Sequence, residues 1–354
     1  MQTVDTLAPD LYTRFLDLRS ERNLRHRDAA RSLGVSEGEA IAAAVGRSAP
    51  LRAVRLKGPW AALFEQLPTL GRVMALTRND AAVHEKTGCY EQMSHEGPVG
   101  LALGPDIDLR IFYMRWAHVF AVTEDTARGV QRSLQIFDAA GTAVHKVFLK
   151  DGADLGAWAA FTDANADAEQ APGGRFEPVA VPTAPAADER IDVEGFRAAW
   201  LAMADTHEFF PLLRRFGVAR TQALRLAPAG MAHTLPNSTV RALLQGAAAA
   251  GTSIMCFVGN PGMIQIHTGP VKKIELMGPW VNVLDPGFSL HLREDLVAQT
   301  WLVRKPTSDG IVTSVELFDA QGETIAMFFG ERKPGQPEIE PWRELLATLP
   351  GVAA

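Results

Sequence analysis

The chain has 354 residues, a formal net charge of -6, and hydrophobic and charged fractions of 47% and 21%. These values are typical of a soluble globular protein that is long enough for two domains. The acidic balance and the lack of a dense Lys/Arg tract argue against nucleic acid as a partner. Cys89 and Cys256 have no CxxC spacing, and there is no signal-like N-terminal segment or apolar run approaching about 18 residues. We therefore expect a cytoplasmic protein without stable membrane insertion.

Helical patterns open each half of the chain. Residues 28–33 and 36–44 predict two short helices, the second with Ser36 as its N-cap. In the second half, four residues recur at the spacing of one helix face, namely Phe196, Trp200, Met203 and His207. Pro211 predicts a kink or a new helix start near Thr206, because a proline inside a helix loses a backbone hydrogen bond.

The rest of each half is predicted to form strands. In the second half, short segments rich in β-branched and aromatic residues lie between turn sequences, at 253–258, 262–267, 280–284, 288–292, 298–303, 310–318 and 324–329. Their spacing leaves no room for crossover helices, so the strands are expected to be antiparallel. Residues 163–188 are rich in Ala, Pro, Gly and acids without a sustained period, which predicts a flexible linker. We expect an α+β protein with two large antiparallel sheets, each with its own helices, divided into 1–162, the linker 163–188, and 189–354.

An internal repeat supports this division. Shifting the chain by 181 positions aligns residues 74–148 with residues 255–329 without a gap, and nineteen of the 75 pairs are identical. Two units of this size indicate a duplicated domain, because a solenoid needs many shorter repeats. Polar positions differ between the copies: Arg110 aligns with His291, and Glu124 aligns with Lys305. We interpret the positions shared by the two copies as needed for the fold. The polar positions that differ are candidates for a single site between the halves.

Several enzyme signatures are missing from the sequence: a Walker loop, GxGxxG, GxSxG and HExxH. A set of ordered motifs instead resembles the cytoplasmic hemin-transport and hemin-degrading proteins of bacterial haem uptake. In the first half these are Thr77-Arg-Asn79, Val83-His-Glu85 and Asp108-Leu-Arg-Ile-Phe112, followed by Trp116. In the second half they are Asp205-Thr-His-Glu-Phe-Phe210, Phe257-Val-Gly-Asn260, Gln265-Ile-His-Thr-Gly-Pro270, Asn282-Val-Leu-Asp-Pro286, Leu290-His-Leu-Arg293 and the segment 304–310. The resemblance implies two stacked antiparallel sheets flanked by helices, with one haem b in a cleft between the halves.

The resemblance makes His207 the axial ligand to the haem iron. A neutral imidazole is a good iron ligand, and its second ring nitrogen needs an orienting partner. Without the resemblance, a satisfied histidine on a helix face is the more common interpretation. The neighbouring Phe209 and Phe210 favour the ligand, because haem needs an apolar wall.

The resemblance also implies that Arg110 lies on the opposite side of the haem. A guanidinium keeps its protons, so it acts by donating hydrogen bonds to the group on that side of the iron. From composition alone, a strand arginine paired with Asp106 or Asp108 is the simpler interpretation. Phe112, two residues further on the same strand face, is expected to pack against the porphyrin.

The remaining expected contacts are cations for the two haem propionates and apolar walls. The resemblance implies Lys305, Arg332 and Arg220 for the propionates, and Phe257 and Phe329 for the walls. Each cation taken alone is more often a solvated surface charge. The segment 326–330, Ala-Met-Phe-Phe-Gly, departs from the family pattern, in which many members have polar Gln and Tyr where this chain has Met and Phe. Two potential hydrogen bonds are thereby lost from that wall.

Three functions are compatible with these observations. The first is a cytoplasmic haem-binding protein that accepts hemin from an inner-membrane ABC importer and passes it to a haem oxygenase. The second is an enzyme that opens the porphyrin ring with oxygen and a reductant. The axial His and distal Arg fit both, since the iron chemistry belongs largely to the cofactor. The third is a duplicated scaffold for a different apolar ligand.

Overall fold

A computed structural model of the chain describes residues 10–180, 184–333 and 335–352. Within these ranges, helices α1 to α10 span Leu11–Arg22, His26–Ser32, Glu37–Ala42, Trp60–Phe64, Leu155–Asn165, Val193–Leu201, Phe209–Phe216, Arg220–Leu226, Thr239–Ala250 and Glu340–Ala347. Strands β1 to β9 span Leu51–Leu56, Val73–Arg78, Ala82–Gly88, Met93–Glu96, Val99–Leu103, Asp108–Phe112, His118–Thr126, Gly129–Phe137 and Ala143–Leu149. Strands β10 to β18 span Ala232–Leu235, Ser253–Asn260, Met263–Pro270, Ile274–Met277, Trp280–Asp285, Phe288–Arg293, Gln299–Thr307, Gly310–Phe318 and Thr324–Gly330.

The strands form two nine-stranded antiparallel sheets that exchange strands between the two halves of the chain. Sheet A has the order β1-β7-β8-β9-β2-β3-β15-β14-β13, and sheet B has the order β10-β16-β17-β18-β11-β12-β6-β5-β4. Each sheet therefore takes six strands from one half and three from the other. The α+β fold with two large antiparallel sheets is confirmed, and the exchange means that cutting the chain at the linker would remove three strands from each sheet.

Matching asparagines of the two repeats fix this exchange. The amide nitrogen of Asn79 donates to the carbonyl of Gly259 at 3.1 Å. Asn260, 181 positions further on, donates to the carbonyls of Arg78 and Val144 at 2.9 and 2.8 Å. Arg78 and Gly259 are themselves 181 positions apart, so these contacts obey an approximate two-fold symmetry. Buried backbone carbonyls need partners, and each half supplies them to the other.

The two sheets stack on a common apolar core. Sheet B contributes Ile254, Cys256 and Val258, and sheet A contributes Val281, Val283 and Leu290. α9 and α10 close this core with Leu243, Leu244, Trp342 and Leu345. Within the described residues, no helix is long and apolar enough to span a membrane.

Local predictions from the sequence hold in most places. Ser36 caps α3 through a capping box with Glu39, and the seven strands predicted in the second half are all present with ends shifted by at most a few residues. The predicted linker is irregular after α5, but its described part is docked: Gln170 donates to the Arg55 carbonyl at 2.9 Å. Residues 181–183 of the linker and residues 1–9 of the N-terminal segment lie outside the described residues. The boundaries 1–162, 163–188 and 189–354 stay a prediction.

Candidate functional site

The strand register places Arg110 on the same face of sheet B as two predicted wall residues. Paired residues, and residues two apart in a strand, point to the same face of a sheet. Ile264 pairs with Arg110 on one side and with Gly259 on the other. Phe257 is two residues from Gly259, so it shares this face, and its ring centroid lies 5.1 Å from that of Phe329. At the usual strand spacing, β6 and β18 are roughly 14 Å apart.

This face is only partly covered. Helices α6 to α8 pack on its β16–β17 end through the core around Trp200, Phe209 and Val303. Beyond that end, the face carries half-buried side chains, which we call the open face of sheet B: Arg110, Phe112, Met255, Phe257, Ile264, Met327 and Phe329. An apolar sheet surface left open to water is typical of a ligand-binding surface.

His207 lies at the edge of the helices that cover this face. Helix α6 ends at Leu201, and residues Thr206–Glu208 form one 3-10 turn before α7. The predicted helix face therefore ends before His207, while the predicted new start ahead of Pro211 is confirmed. Phe209 is buried, and His207 is 89% exposed.

Asp205 supplies the orienting partner of His207. The Nδ1 atom of His207 lies 2.6 Å from Oδ1 of Asp205, and the same oxygen accepts the backbone N–H of His207 at 2.8 Å. These hydrogen bonds, and the charge of nearby Arg332, lower the pKa of Asp205. An ionised Asp205 accepts a hydrogen bond from His207 Nδ1–H, so the proton of the neutral ring is on Nδ1. The lone pair of Nε2 is then directed away from the carboxylate. In the sequence, the Asp-x-His spacing indicates that Asp205 can be the orienting partner of His207.

A buried ionic cluster lies beneath the start of α7. The Nζ atom of Lys305 is 2.6 Å from Glu316, and Arg220 is 2.8 Å from the other oxygen of that carboxylate. Burial alone would raise the pKa of Glu316, but the charges of Arg220 and Lys305 outweigh it and lower the pKa to about 2. Two of the three predicted propionate ligands, Lys305 and Arg220, are thus bound to one carboxylate. Glu316 was not predicted from the sequence, although its alignment with Gln135 marks a polar position inside a strand.

The same cluster anchors the segment that carries His207. Both cations lie close to the ring of Phe209, with Lys305 Nζ 4.7 Å and the Arg220 guanidinium 5.4 Å from its centroid. Cations over an aromatic face are attracted by its quadrupole. Phe209 follows His207 by two residues, so the cluster fixes the position of the exposed histidine.

The structure brings the other predicted residues to the rim of the same surface. Arg110 pairs with Asp108 of its own strand and donates to the Leu109 carbonyl at 3.2 Å. Arg332 follows β18, and its Nε atom is buried without a partner among the described residues. Met327 accepts a hydrogen bond from Arg220 through its sulfur at 3.0 Å. All eight predicted residues therefore lie on the open face, at its rim, or in the cluster beneath α7.

Comparisons with known proteins agree on one family. The family described as "Haemin-degrading HemS.ChuX domain" matches the chain twice, over residues 34–164 and 217–349. The hemin transport protein HemS of Yersinia enterocolitica is 40% identical over 348 residues, which cover 97% of this chain and 98% of that protein.

Solved structures agree with this match. The structure of holo-PhuS, a heme-binding protein from Pseudomonas aeruginosa, matches with 48% identity and a TM-score of 0.93, covering 97% of this chain and 99% of that one. ChuS, an E. coli heme oxygenase, matches with 37% identity and a TM-score of 0.86, covering 96% of this chain and 99% of that one. The chain therefore belongs to the family of haemin-degrading HemS.ChuX domain proteins.

Proposed function

We propose that this protein binds one haem b on the open face of sheet B and carries it through the cytoplasm. The observation that carries the proposal is His207, an exposed imidazole whose Nδ1 is held by Asp205 beside a half-exposed apolar sheet face. The names of HemS, a hemin transport protein, and PhuS, a heme-binding protein, support the same ligand.

Each residue of the site has a distinct role in this proposal. His207 Nε2 would hold the iron of a bound haem, which would supply the redox chemistry of the site. Asp205 selects the tautomer that exposes Nε2. Phe257 and Phe329 exclude water from the porphyrin, and Arg110 donates hydrogen bonds on the side away from His207.

The propionates meet a surplus of positive charge. Lys305 and Arg220 carry two positive charges against the single carboxylate of Glu316, and Arg332 adds a third positive charge nearby. Arg220 and Arg332 are partly exposed, so they reach a propionate without breaking the buried pair between Lys305 and Glu316. In this arrangement Lys305 contributes its positive charge to the site, whereas Arg220 and Arg332 contact the propionates directly.

Transfer of haem needs transient partners, and we propose two. The donor is the cytoplasmic side of a haem ABC importer, and the acceptor is a haem oxygenase. Mixing the haem-loaded protein with a purified haem oxygenase should transfer haem faster than haem dissociates into buffer. Equal rates of transfer and dissociation would remove the acceptor from the proposal.

A haem-degrading activity is the second candidate. Arg110 favours it, because a hydrogen-bond donor on the second side of the iron suits the activation of oxygen, and the similar ChuS is described as a heme oxygenase. The test is anaerobic haem loading, followed by reductant and oxygen with catalase present. Full loss of the Soret band with a defined bilin and a one-carbon product indicates an enzyme, and slow bleaching that catalase suppresses indicates a carrier. Absence of a stoichiometric haem spectrum would instead favour a scaffold for another apolar ligand.

A further inference from the structure

Three lysines are buried in the described part of the chain, and one of them has no carboxylate partner. Lys146 and Lys305 each bind a buried glutamate, at 2.5 and 2.6 Å. Lys86 of β3 is only 7% exposed, and among the described residues no carboxylate oxygen lies within 4.0 Å of its Nζ atom. Its hydrogen-bond partner is the Nδ1 atom of His267, at 3.4 Å. Burial lowers the pKa of Lys86, and the charge of Asp106 opposes this only in part. A buried ammonium without a hydrogen-bonded carboxylate is costly and needs an explanation.

A cavity of about 240 Å³ lies beside Lys86, between β3, β12 and the start of β15. His267 is three residues from Ile264 on β12, so its side chain points away from the open face of sheet B. The cavity is therefore separate from the surface proposed for haem. Both halves of the chain line it: Lys86 and Asp106 come from the first, and His267, Pro270, Lys272, Asp285, Pro286, Gly287 and Phe288 come from the second.

His267 offers a second donor at this cavity. A lysine ammonium donates only, so Nδ1 of His267 accepts from Lys86 and the ring proton belongs on Nε2. Nε2 is buried and makes no hydrogen bond of normal geometry among the described residues, although the backbone of Gly269 and Pro270 lies close to the ring and raises its pKa in part. The ring stacks on Phe288 with a centroid separation of 3.8 Å and an angle of 2°. Burial and the charge of Lys86 lower the pKa of His267 to about 3, so the ring stays neutral near pH 7.

The lining also limits the kind of anion. Pro270, Pro286 and Phe288 give the cavity apolar walls, and the carboxylates of Asp106 and Asp285 repel an anion that carries two charges. Asp285 accepts the backbone N–H groups of Lys272 and Lys273 at 2.8 Å each, which fixes its position. These features favour a single carboxylate on an apolar body over inorganic phosphate.

We infer that this cavity binds a small organic monocarboxylate, whose oxygens accept from Lys86 Nζ and His267 Nε2 while its apolar part packs on Phe288 and the two prolines. A carboxylate held by an ammonium and a ring N–H receives charge-assisted hydrogen bonds. The bound anion supplies the counter-charge that Lys146 and Lys305 obtain from glutamates.

Benzoate is a suitable probe, and benzamide is its neutral control of the same shape. Isothermal titration of the haem-free full-length protein should give one benzoate site and weaker binding of benzamide. Lys86→Met should weaken benzoate binding about tenfold or more, the effect of losing a charged hydrogen bond. Lys57→Met, at an exposed lysine, should leave binding unchanged. Benzoate should not shift the Soret band of the haem-loaded protein, because the cavity is on the other side of sheet B.

A second variant tests the inference if Lys86→Met does not fold. His267→Phe keeps a ring for stacking on Phe288 and removes the Nε2 donor, so it should also weaken benzoate binding if Lys86→Met does not fold. Benzoate binding that is undetectable in the millimolar range, equal to that of benzamide, weaker than that of inorganic phosphate, or unchanged in both variants would overturn the inference.

Discussion

His26 lies 181 residues before His207, outside the aligned repeat segments, and the environments of the two histidines differ. The His26 side chain is 12% exposed, lies 3.1 Å from Glu124, and packs against Phe15. Burial lowers the pKa of His26, although Glu124 partly opposes this. His207 is exposed and bonded to Asp205, which is on its own turn. His26 is therefore part of a core, whereas the His207 side chain is exposed at the surface.

The sheet faces beside the two histidines differ in the same way. On sheet A, Glu124 binds Arg19 of α1 at 2.7 Å, and Lys146 binds Glu37 of α3. These ion pairs attach helices to the sheet and fill its face. On sheet B, the position of Lys146 is taken by Met327, which is half-buried and apolar. The face of sheet B therefore keeps charged contacts around Glu316 but has an apolar residue at Met327, and helices cover only part of it.

The largest expected effect on stability comes from breaking the buried ionic cluster beneath α7. Glu316→Gln leaves Lys305 and Arg220 without a counter-charge in a buried place, so we expect a loss of about 3–5 kcal/mol in the free energy of unfolding. Urea unfolding of the haem-free protein measures it. Glu275→Gln breaks an exposed pair with Lys273 and should cost about 0–1 kcal/mol. Equal losses in the two variants would mean that the cluster does not anchor α7.

Acid unfolding should reveal that both halves depend on a buried carboxylate. The pKa of Glu124 is lowered to about 2, because His26 and Arg19 outweigh the effect of its burial, and the pKa of Glu316 is also about 2. A lowered folded-state pKa contributes stability that is complete above the unfolded-state value and is lost as the pH falls towards 2. Each carboxylate should account for about 2–3 kcal/mol of this loss.

Urea unfolding as a function of pH checks this expectation. Glu124→Gln and Glu316→Gln should each reduce proton uptake on unfolding between pH 4.5 and 2 by one proton or slightly less. A variant whose acid limb matches that of the unmodified protein would show that its carboxylate has an ordinary pKa in the folded state.

Substitution of His207 and of His26 should have different effects on haem binding. His207→Ala should change the Soret spectrum and speed haem loss by about 100-fold or more, since loss of a ligand should exceed the 10- to 100-fold effect of changing a partner of the ligand. His26→Ala should change stability but leave the haem spectrum intact. Haem transfer to apomyoglobin measures the rates. A normal spectrum and rate in His207→Ala would assign the iron to another residue.

Much of this architecture is predictable from sequence, because it depends on local patterns. The capping box at Ser36 and the strands between 253 and 329 follow from turn residues and alternating side chains. The exchange of three strands between the sheets does not follow from such patterns. It depends on contacts such as those of Asn79 and Asn260, which join residues about 180 positions apart, and pairings of that range leave no local signature.

The sequence pointed to residues that the structure brings to one surface, but it did not reveal the contacts among them. The Asp-x-His-x-Phe-Phe motif identified His207 before its surroundings were known. The sequence did not reveal that Lys305 and Arg220 share Glu316, because residues far apart along the chain meet only in the folded sheet. The position of Lys86 was equally hidden, because an alternating strand does not indicate whether a lysine within it has a carboxylate partner.

A smaller effect on haem affinity is expected from changing Asp205, the hydrogen-bond partner of His207. Asp205→Asn keeps a side chain that caps the turn but weakens the hold on the Nδ1 proton, so haem affinity should fall about tenfold. The spectrum should keep its histidine ligation but shift slightly. Glu208→Gln, at the neighbouring acid of the same turn, should change neither. Equal affinities for Asp205→Asn and Glu208→Gln would show that the tautomer is set without Asp205.

The smallest expected change in affinity concerns Arg110, whose aligned residue His291 lies on sheet A and is bonded to Asn282 at 2.7 Å. Arg110→Ala should weaken haem binding only about threefold to tenfold, the usual net contribution of a hydrogen bond. Its visible spectrum should nevertheless change, because the donor on the second side of the iron is lost while His207 stays bound. Arg110→Lys, which keeps the charge but not the planar fork, should give an intermediate spectrum. If Arg110→Ala keeps the spectrum of the unmodified protein, this arginine pairs with Asp108 alone, and the site belongs to the second half without a contribution from β6.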